Sequence, residues 1–567
     1  MEMPDDRRLT IGRRIKTAFY LLWLASAMLH AGNAGLFDDE AYYWMYAQYP
    51  SMGYFDHPPM IGLLIRYGYA MFSNELGLRF FIVLMSTGTV WGIDALLNHR
   101  NDRLFYAMAL SLGLMQVGGI IAVPDIPLMF FVVLFFLAYR RFLRQPGWTE
   151  TIAIALTIAG MLYSKYHGVL IVFFTLLSNF RLLGKWQTWL AGILALALFT
   201  PHLYWQYTHD FPSFRYHLFE RNASYYKFEY TSEYIFGQIL LAGPMIGWLL
   251  LWAAGRRKPA DELEKGLKWS FFGIYGFFLI NTFKGRVEAN WTAPAFISLF
   301  VLSHQWLHER PAAARWVYRL FIPSLLLVLT VRVYMMLDID PSPLMPKDEF
   351  HRNTEWSEVI RKKANGRAIV FVNTYQRPSQ YMFYTGEKAY GLNNIFYRRN
   401  NFNFWPVEAD VFGKSALVIS HENYAYFTDT IHSPRGFIGS RHFDEYFSFS
   451  GVDIRCPATV RPTGGRVATT LDIRMPDHLA AHPRLHDFDT AQIVMAIYIR
   501  DKKKATLLQS GSRIRDVRNG KLNVELQLPE TFLTEDVYQI KWGINTAIPG
   551  WPSLNSSDFR LEKGAGA

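Results

Sequence analysis

The sequence predicts a polytopic α-helical membrane domain of about 11 spans, followed by an extracytoplasmic tail with an α/β region and a β-rich region. Three observations lead there. Long apolar runs recur up to about residue 337. Beyond that point polar and apolar residues alternate as they do in a soluble domain. Lys and Arg, finally, are segregated between alternate loops. The regions that follow are 1–337 for the membrane domain, 338–450 for the α/β region and 451–567 for the β-rich region.

The apolar runs centre on Trp23, Met85, Leu112, Leu134, Leu156, Phe173, Leu194, Ile246, Tyr275, Ile297 and Leu326. A helix needs roughly 20 apolar residues to cross the hydrocarbon core, fewer where it is shielded inside a bundle. The first run lacks a small-residue cleavage pattern and exceeds a signal-peptide core, so it reads as a retained helix. With a cytoplasmic N-terminus, the inner segments are 1–16, 100–103, 140–149, 181–186, 255–268 and 308–319. They hold 20 Lys or Arg in 62 residues, against 8 in 98 for the outer segments 37–79, 122–127, 163–168, 202–234 and 282–291. The positive-inside rule then fixes the orientation, and an odd number of spans puts everything after about Asp338 outside.

The net charge of +11 therefore belongs largely to short inner loops. No zinc-finger or helix-turn-helix spacing accompanies it, which argues against nucleic acid as a partner. The single cysteine, Cys456, excludes an intrachain disulfide framework and any cysteine-based metal site. In the tail, the apolar runs Ala368–Val372 and Lys414–Ser420 flank a helix-like stretch from Pro378 to Tyr384, which suggests an α/β unit. The alternating or β-rich runs Gln492–Arg500, Leu522–Leu528 and Val537–Ile544 suggest antiparallel strands. No catalytic motif stands out there, so the tail reads as an outer cap or acceptor-docking module.

The outer segments carry the candidate chemistry. The stretch Leu36–Met60 places Asp38, Asp39 and Glu40 directly after the first apolar run and adds an Asp56-His57-Pro58-Pro59 turn. A charge at the edge of hydrocarbon is paired, hydrated or functional. Asp38 reads as the N-cap of a helix starting at Asp39. Asp39 and Glu40 then point about 100° apart and do not share one task. Asp56 with His57 fits either two ligands of a divalent metal or a turn held by the two prolines. The tight turn Ala122–Pro127 presents Asp125 at the membrane edge. Lys165 and His167 lie between two short apolar runs, a placement that puts Lys165 below the surface, where a lysine is tolerated only if paired or beside water. Lys284, Arg286 and Glu288 close the set. The aromatic loop from Tyr204 to Phe236 reads as an interfacial belt, the alternative being a lining for a lipid tail or a sugar face.

In order, the motifs DDEAYYW, GYFDHPPM, VPDIPLMFF, LYSKYHG and KGRVEANWTAPAF resemble the bacterial branch of glycosyltransferase family 39, relatives of protein O-mannosyltransferases and of the lipid A aminoarabinose transferase. The resemblance covers roughly residues 15 to 335 and implies the multi-span GT-C fold in the bacterial cytoplasmic membrane. It implies a polyprenyl-phosphate-linked sugar as donor, inversion at the anomeric carbon, and a glycolipid, glycan or protein acceptor outside that membrane. By position, Asp39, with Glu40 beside it, and Asp125 match the family's catalytic acidic residues. His57 falls where the aminoarabinose transferases carry a lysine, and Lys165, Lys284 and Arg286 are the further candidates for the donor phosphate. No cofactor is implied with certainty; a divalent metal at Asp56 and His57 stays open. A lipid-linked sugar flippase and a non-catalytic envelope scaffold are the competing classes, but no internal repeat of the kind transporters carry is visible.

Overall fold

The computed structural model describes residues 12–97, 101–221, 225–339, 348–420, 427–482, 491–498, 505–529, 532 and 537–562. Residues 1–11 of the first expected inner segment, Arg100 of the second, part of the aromatic loop (222–224) and the end of the Gln492–Arg500 run lie outside the described residues. The chain divides into two units, Met1–His351 and Arg352–Ala567.

The first unit is helical. α1 (Arg13–Asn33), α2 (Asp38–Gln48), α3 (Met60–Met71) and α4 (Glu75–Leu96) come first, then α5 (Asp102–Ser111) and α6 (Gly113–Gln116). They are followed by α7 (Asp125–Arg144), α8 (Trp148–Ser164), α9 (Gly168–Ser178), α10 (Trp186–Thr208), α11 (Pro212–Arg215), α12 (Phe228–Leu241), α13 (Gly247–Arg256), α14 (Glu262–Asn281), α15 (Phe296–His308) and α16 (Pro311–Met336). Among the described residues, α4, α7, α10 and α16 are long and apolar enough to cross a membrane, and α5 with the Gly113–Ile120 segment, bent by 72°, makes a fifth candidate span. The expected centres all fall inside helices except Leu112 and Ile246, which sit at breaks. Hydropathy registers an apolar run whether or not one straight helix fills it, so it sees a broken span as a whole one.

Local chemistry sets the helix ends that matter. Pro124 precedes α7 and Pro127 lies in its first turn, where a missing N–H costs nothing because those amides have no intrahelical acceptor. Asp125 thus becomes the first residue of α7, with its carboxylate at the positive end of the helix. α8 stops at Lys165, whose backbone is extended (φ −161°, ψ 141°). α9 restarts at Gly168, where a Cβ would lie 2.7 Å from the Met161 Cβ. Only glycine lets the two short helices meet there.

A buried ion pair joins the N-terminal helices. Arg79 of α4 is 1% exposed and Glu40 of α2 is 0% exposed. Arg79 Nε donates to Glu40 Oε1 at 2.7 Å and Nη2 to Oε2 at 2.5 Å. Its remaining donors reach the carbonyls of Ala31 (2.9 Å), Ala34 (2.7 Å) and Gly35 (2.8 Å), at and just past the end of α1. Glu40 also accepts from the amides of Phe37 at 2.9 Å and Ala122 at 2.7 Å. Arg79, counted above among outer-loop cations, is therefore inside a helix, because Asn74 caps α4 five residues earlier by accepting from the Gly77 amide.

The second unit opens with α17 (Asn353–Ala364), β1 (Ala368–Val372), α18 (Gln376–Thr385), β2 (Ala389–Leu392), β3 (Ala416–Ser420), β4 (Asp429–Ser433) and β5 (Gly436–Phe443). The strands form one sheet in the order β2-β1-β3-β5-β4, with β1 parallel to β2 and β3, and β5 antiparallel to β3 and β4. The sheet-rich remainder holds β6 (Asp453–Arg455), β7 (Thr459–Val460), β8 (Arg466–Arg474), α19 (Asp477–Ala480), β9 (Gln492–Tyr498), β10 (Ala505–Arg513), β11 (Lys521–Gln527), β12 (Val537–Ile544), β13 (Ser553–Leu554) and β14 (Phe559–Glu562). Strand β11 reads exposed-buried in strict alternation. Its buried Leu522, Val524 and Leu526 share a core with Val467 and Leu471 of β8 and with Met495, Ile540 and Trp542 of the other sheet. Period-2 patterning thus produced the face-to-face packing.

Replacing Arg79 by Gln strands the Glu40 carboxylate in the interior. The expected cost is about 3–5 kcal/mol of unfolding free energy, read by denaturant or thermal unfolding in detergent, and the double variant E40Q/R79Q recovers part of it.

Candidate active site

Asp125 and Lys165 meet although 40 residues separate them. The Lys165 ammonium donates to Asp125 Oδ1 at 2.8 Å and Oδ2 at 3.0 Å, and Asn290 Nδ2 donates to Oδ2 at 3.0 Å. Asp125 is 2% exposed and Lys165 5%. The expectation that Lys165 lies below the surface thus matches its burial, and the carboxylate beside it supplies the pairing that depth requires. Asn290 belongs to the 3₁₀ segment Ala289–Ala295. That segment is held by Gln238 of α12, whose Nε2 donates to the Ala289 carbonyl at 3.2 Å and whose Oε1 accepts from Thr292 Oγ1 at 2.5 Å.

Asp39 lies half-buried in the first turn of α2, next to Glu40. Through Glu40 and the Ala122 amide, the turn that carries Asp39 is tied to the turn that carries Asp125. Asp38 is corrected from its expected role: it is the first helical residue, Phe37 occupies the cap position, and Glu40 supplies the side-chain acceptor for the Phe37 amide. Glu40 itself has both oxygens filled by four donors, so in this geometry it positions rather than reacts.

The Asp56–His57 turn is anchored from several sides. Asp56 Oδ2 accepts from the Tyr42 hydroxyl at 3.0 Å, and its carbonyl accepts from His217 Nε2 at 3.2 Å. The Met52 carbonyl can only accept, so His202 Nδ1 carries a proton toward it at 2.8 Å, and His202 Nε2 accepts from the Tyr166 hydroxyl at 2.8 Å. Gln206 Nε2 then donates to Tyr166 Oη (2.9 Å) and Ser213 Oγ (2.7 Å), and Ser213 donates to the Tyr54 carbonyl at 3.0 Å. This chain locks the 52–57 loop to the Lys165 turn. Gly53 is required in it, since a Cβ there would lie 2.4 Å from Trp205. No three of His, Cys, Asp and Glu gather into a metal-binding group among the described residues, so Asp56 and His57 have no third protein ligand there.

Among the described residues no hydrogen bond or ion pair links Lys284 or Arg286 to Lys165. Both are exposed, and Arg286 pairs with Glu233 at 3.2 Å. The Arg221 guanidinium lies 4.2 Å over the Trp291 ring and 3.6 Å from Glu288. The Trp291 ring is in turn 5.4 Å from that of His167. Sequence reasoning missed Arg79, Asn290, Tyr42 and His217. Arg79 was findable as a lone cation within an apolar run, and Asn290 stood inside the KGRVEANW motif; Tyr42 and His217 carried no signal beyond their loops.

Burial, reinforced by the Lys165 charge, pushes His57 down to about 3; burial likewise lowers His167 and His217. His57 still shows part of its surface to solvent. These imidazoles are neutral in the folded chain at neutral pH. The folded state binds fewer protons than the unfolded one below about 6.5, so the stability they permit is complete above that pH and is lost as pH falls toward 3. Thermal unfolding from pH 8 to 4 is expected to show a falling midpoint, and the pair H57Q/H217Q to flatten its acid limb.

The described residues form a bundle with several apolar helices, buried acids and bases at helix ends, and a sheet-rich C-terminal unit. Residues 56–205 match the family model described as dolichyl-phosphate-mannose-protein mannosyltransferase. The chain is 23% identical over 306 residues to the lipid A galacturonosyltransferase RgtD of Rhizobium johnstonii, a match spanning 50% of this chain and 63% of that protein. The fold is similar to the crystal structures of ArnT from Cupriavidus metallidurans. With the form bound to undecaprenyl phosphate the TM-score is 0.55 at 13% identity, over 76% of this chain and 98% of ArnT. The apo form gives 0.55 at 12% identity, over 75% and 98%. The chain is a multi-pass membrane protein with the ArnT-like GT-C fold, and part of its membrane domain is similar to the mannosyltransferase family model.

Proposed function

We propose that this chain is an inverting glycosyltransferase that moves a sugar from a polyprenyl-phosphate carrier to a hydroxyl of an envelope glycolipid, glycan or protein. The observation that carries the reading is the buried Asp125–Lys165–Asn290 group beside the helix turn of Asp39. The name of the relative that acts on lipid A and the undecaprenyl phosphate held by the ArnT neighbour support a lipid-linked donor and favour a glycolipid acceptor. The proposal includes the topology of about 11 spans with a cytoplasmic N-terminus in the bacterial inner membrane, for which the segregation of Lys and Arg is the support.

In the proposed reaction Asp39 accepts the proton of the acceptor hydroxyl as its oxygen forms a bond to the anomeric carbon. The bond from that carbon to the phosphate oxygen breaks, and the polyprenyl phosphate leaves with the electron pair. Lys165, held in place by Asp125, neutralises charge on the departing phosphate. Asn290 fixes the carboxylate of Asp125, so that group positions the ammonium without drifting into the sugar site. The neutral His57 and His217 line the same region without adding charge before the donor arrives. No step is assigned to a metal ion.

With purified protein and a labelled polyprenyl-phosphate sugar, Asp39→Asn is expected to lower turnover by about 10²- to 10⁴-fold with folding unchanged. Near wild-type turnover in that variant removes Asp39 as the base. Lys165→Gln is expected to weaken donor use more than acceptor use, seen as a raised KM for the lipid-linked sugar. Movement of donor across vesicles without transfer would replace the reading by a flippase.

A further inference from the structure

A second buried guanidinium lies outside the site just described. Arg332 of α16 is 7% exposed and four residues from the end of that helix, so it lies about 6 Å below the helix end at 1.5 Å per residue. Its Nε donates to His30 Nδ1 at 3.1 Å, one Nη to Gln116 Oε1 at 3.0 Å and the other to the Ser26 carbonyl at 2.6 Å. All three acceptors are neutral, and no carboxylate pairs with Arg332 among the described residues. The contrast with Arg79 is direct. Arg79 spends all five N–H groups, two of them on a carboxylate. Arg332 uses three.

The other polar atom of the site is also unspent. His30 is 1% exposed, and its Nε2 is buried with no hydrogen-bond partner among the described residues. His30 sits one residue before Ala31, whose carbonyl holds Arg79. Two guanidiniums therefore flank the last turns of α1, while Glu40 is the one carboxylate bonded to either of them among the described residues. A buried cation without an opposite charge is costly near hydrocarbon, and water can satisfy its N–H groups but not its charge. Two free guanidinium N–H groups in a plane match the oxygens of a phosphate.

We propose that Arg332, with His30 and Gln116 around it, forms an anion site for a phosphate group at the α1–α16 seam, separate from the Lys165 site. α16 packs mainly on α5 and only lightly on α1, and Arg332 lies in that lightly packed seam, the side by which a phosphate reaches it. A lipid headgroup and free phosphate present the same chemistry, and the test distinguishes them.

Delipidated full-length protein in mild detergent is titrated with phosphatidylglycerol and followed by native mass spectrometry. A parallel arm adds inorganic phosphate and follows thermal unfolding. The expected result is one phosphatidylglycerol retained per chain, bound at least tenfold more weakly by R332Q and unchanged in K165Q. If inorganic phosphate instead produces the Arg332-dependent shift, the site stands and its ligand is free phosphate. Where R332Q does not fold, R332K serves, keeping the charge but not the fork, and is expected to bind about tenfold more weakly. Binding that is equal in the wild type and the Arg332 variant, or absent from both arms, overturns the proposal.

Discussion

The structure of the first unit depends on one buried ion pair. Glu40 and Arg79 come from α2 and α4, with α3 between them in the chain, and their hydrogen bonds reach carbonyls at and just past the end of α1, the Phe37 amide at the cap of α2 and the turn before α7. A carboxylate and a guanidinium that were merely paired in the interior would stabilise little, because desolvation cancels most of their attraction. Here every donor and acceptor of both groups is used, and beyond the pair itself the partners are backbone groups at helix ends and turns. The pair therefore does for three helix ends what separate caps would do for each. It also fixes the distance between the turn of Asp39 and the turn of Asp125.

In the proposed reaction the acids on that frame divide the labour. Glu40 is saturated and serves the architecture. Asp125 is nearly so, with an ammonium and an amide on its two oxygens, and it serves Lys165. Asp39 keeps part of its surface exposed at the start of α2. A general base has to reach a substrate proton, and among these three the half-buried carboxylate is the one with solvent access. The opposite ends of the helices carry a different kind of staple. Arg257 there pairs with Glu264 at 2.8 Å and with Glu309, and Lys268 holds the Ala254 and Gly255 carbonyls at the end of α13.

The aromatic residues around the site have a specific mechanical task. Tyr46 and Tyr54 stack at 3.8 Å, and the Tyr54 hydroxyl closes on the Tyr46 carbonyl at 2.8 Å. The relay from Met52 through His202, Tyr166, Gln206 and Ser213 then ties this stack to the Lys165 turn. Each hydroxyl and imidazole in it has one direction of donation that satisfies the next. Such a relay holds a loop without adding charge, which suits a region where Lys165 and Arg221 already supply the positive field.

By itself the sequence determined where the apolar runs lie, that acids and bases recur in the segments between them, that Lys165 is buried between two short helices, and which runs of the tail become strands β1, β3, β9, β11 and β12. These are local properties, because hydropathy and period-2 alternation act over a few residues. The tertiary structure decided which charge meets which. It assigned Glu40 to Arg79 and to an amide 82 residues away, Asp125 to Lys165 and to an asparagine 165 residues away, and Arg286 to the surface with Glu233. It also turned the runs at Leu112 and Ile246 into broken helices and left Arg332 buried with neutral partners among the described residues. Partner choice across such separations follows from how helices pack, from glycines that admit close approach and from the need to satisfy each buried polar group, and no window of sequence contains those conditions.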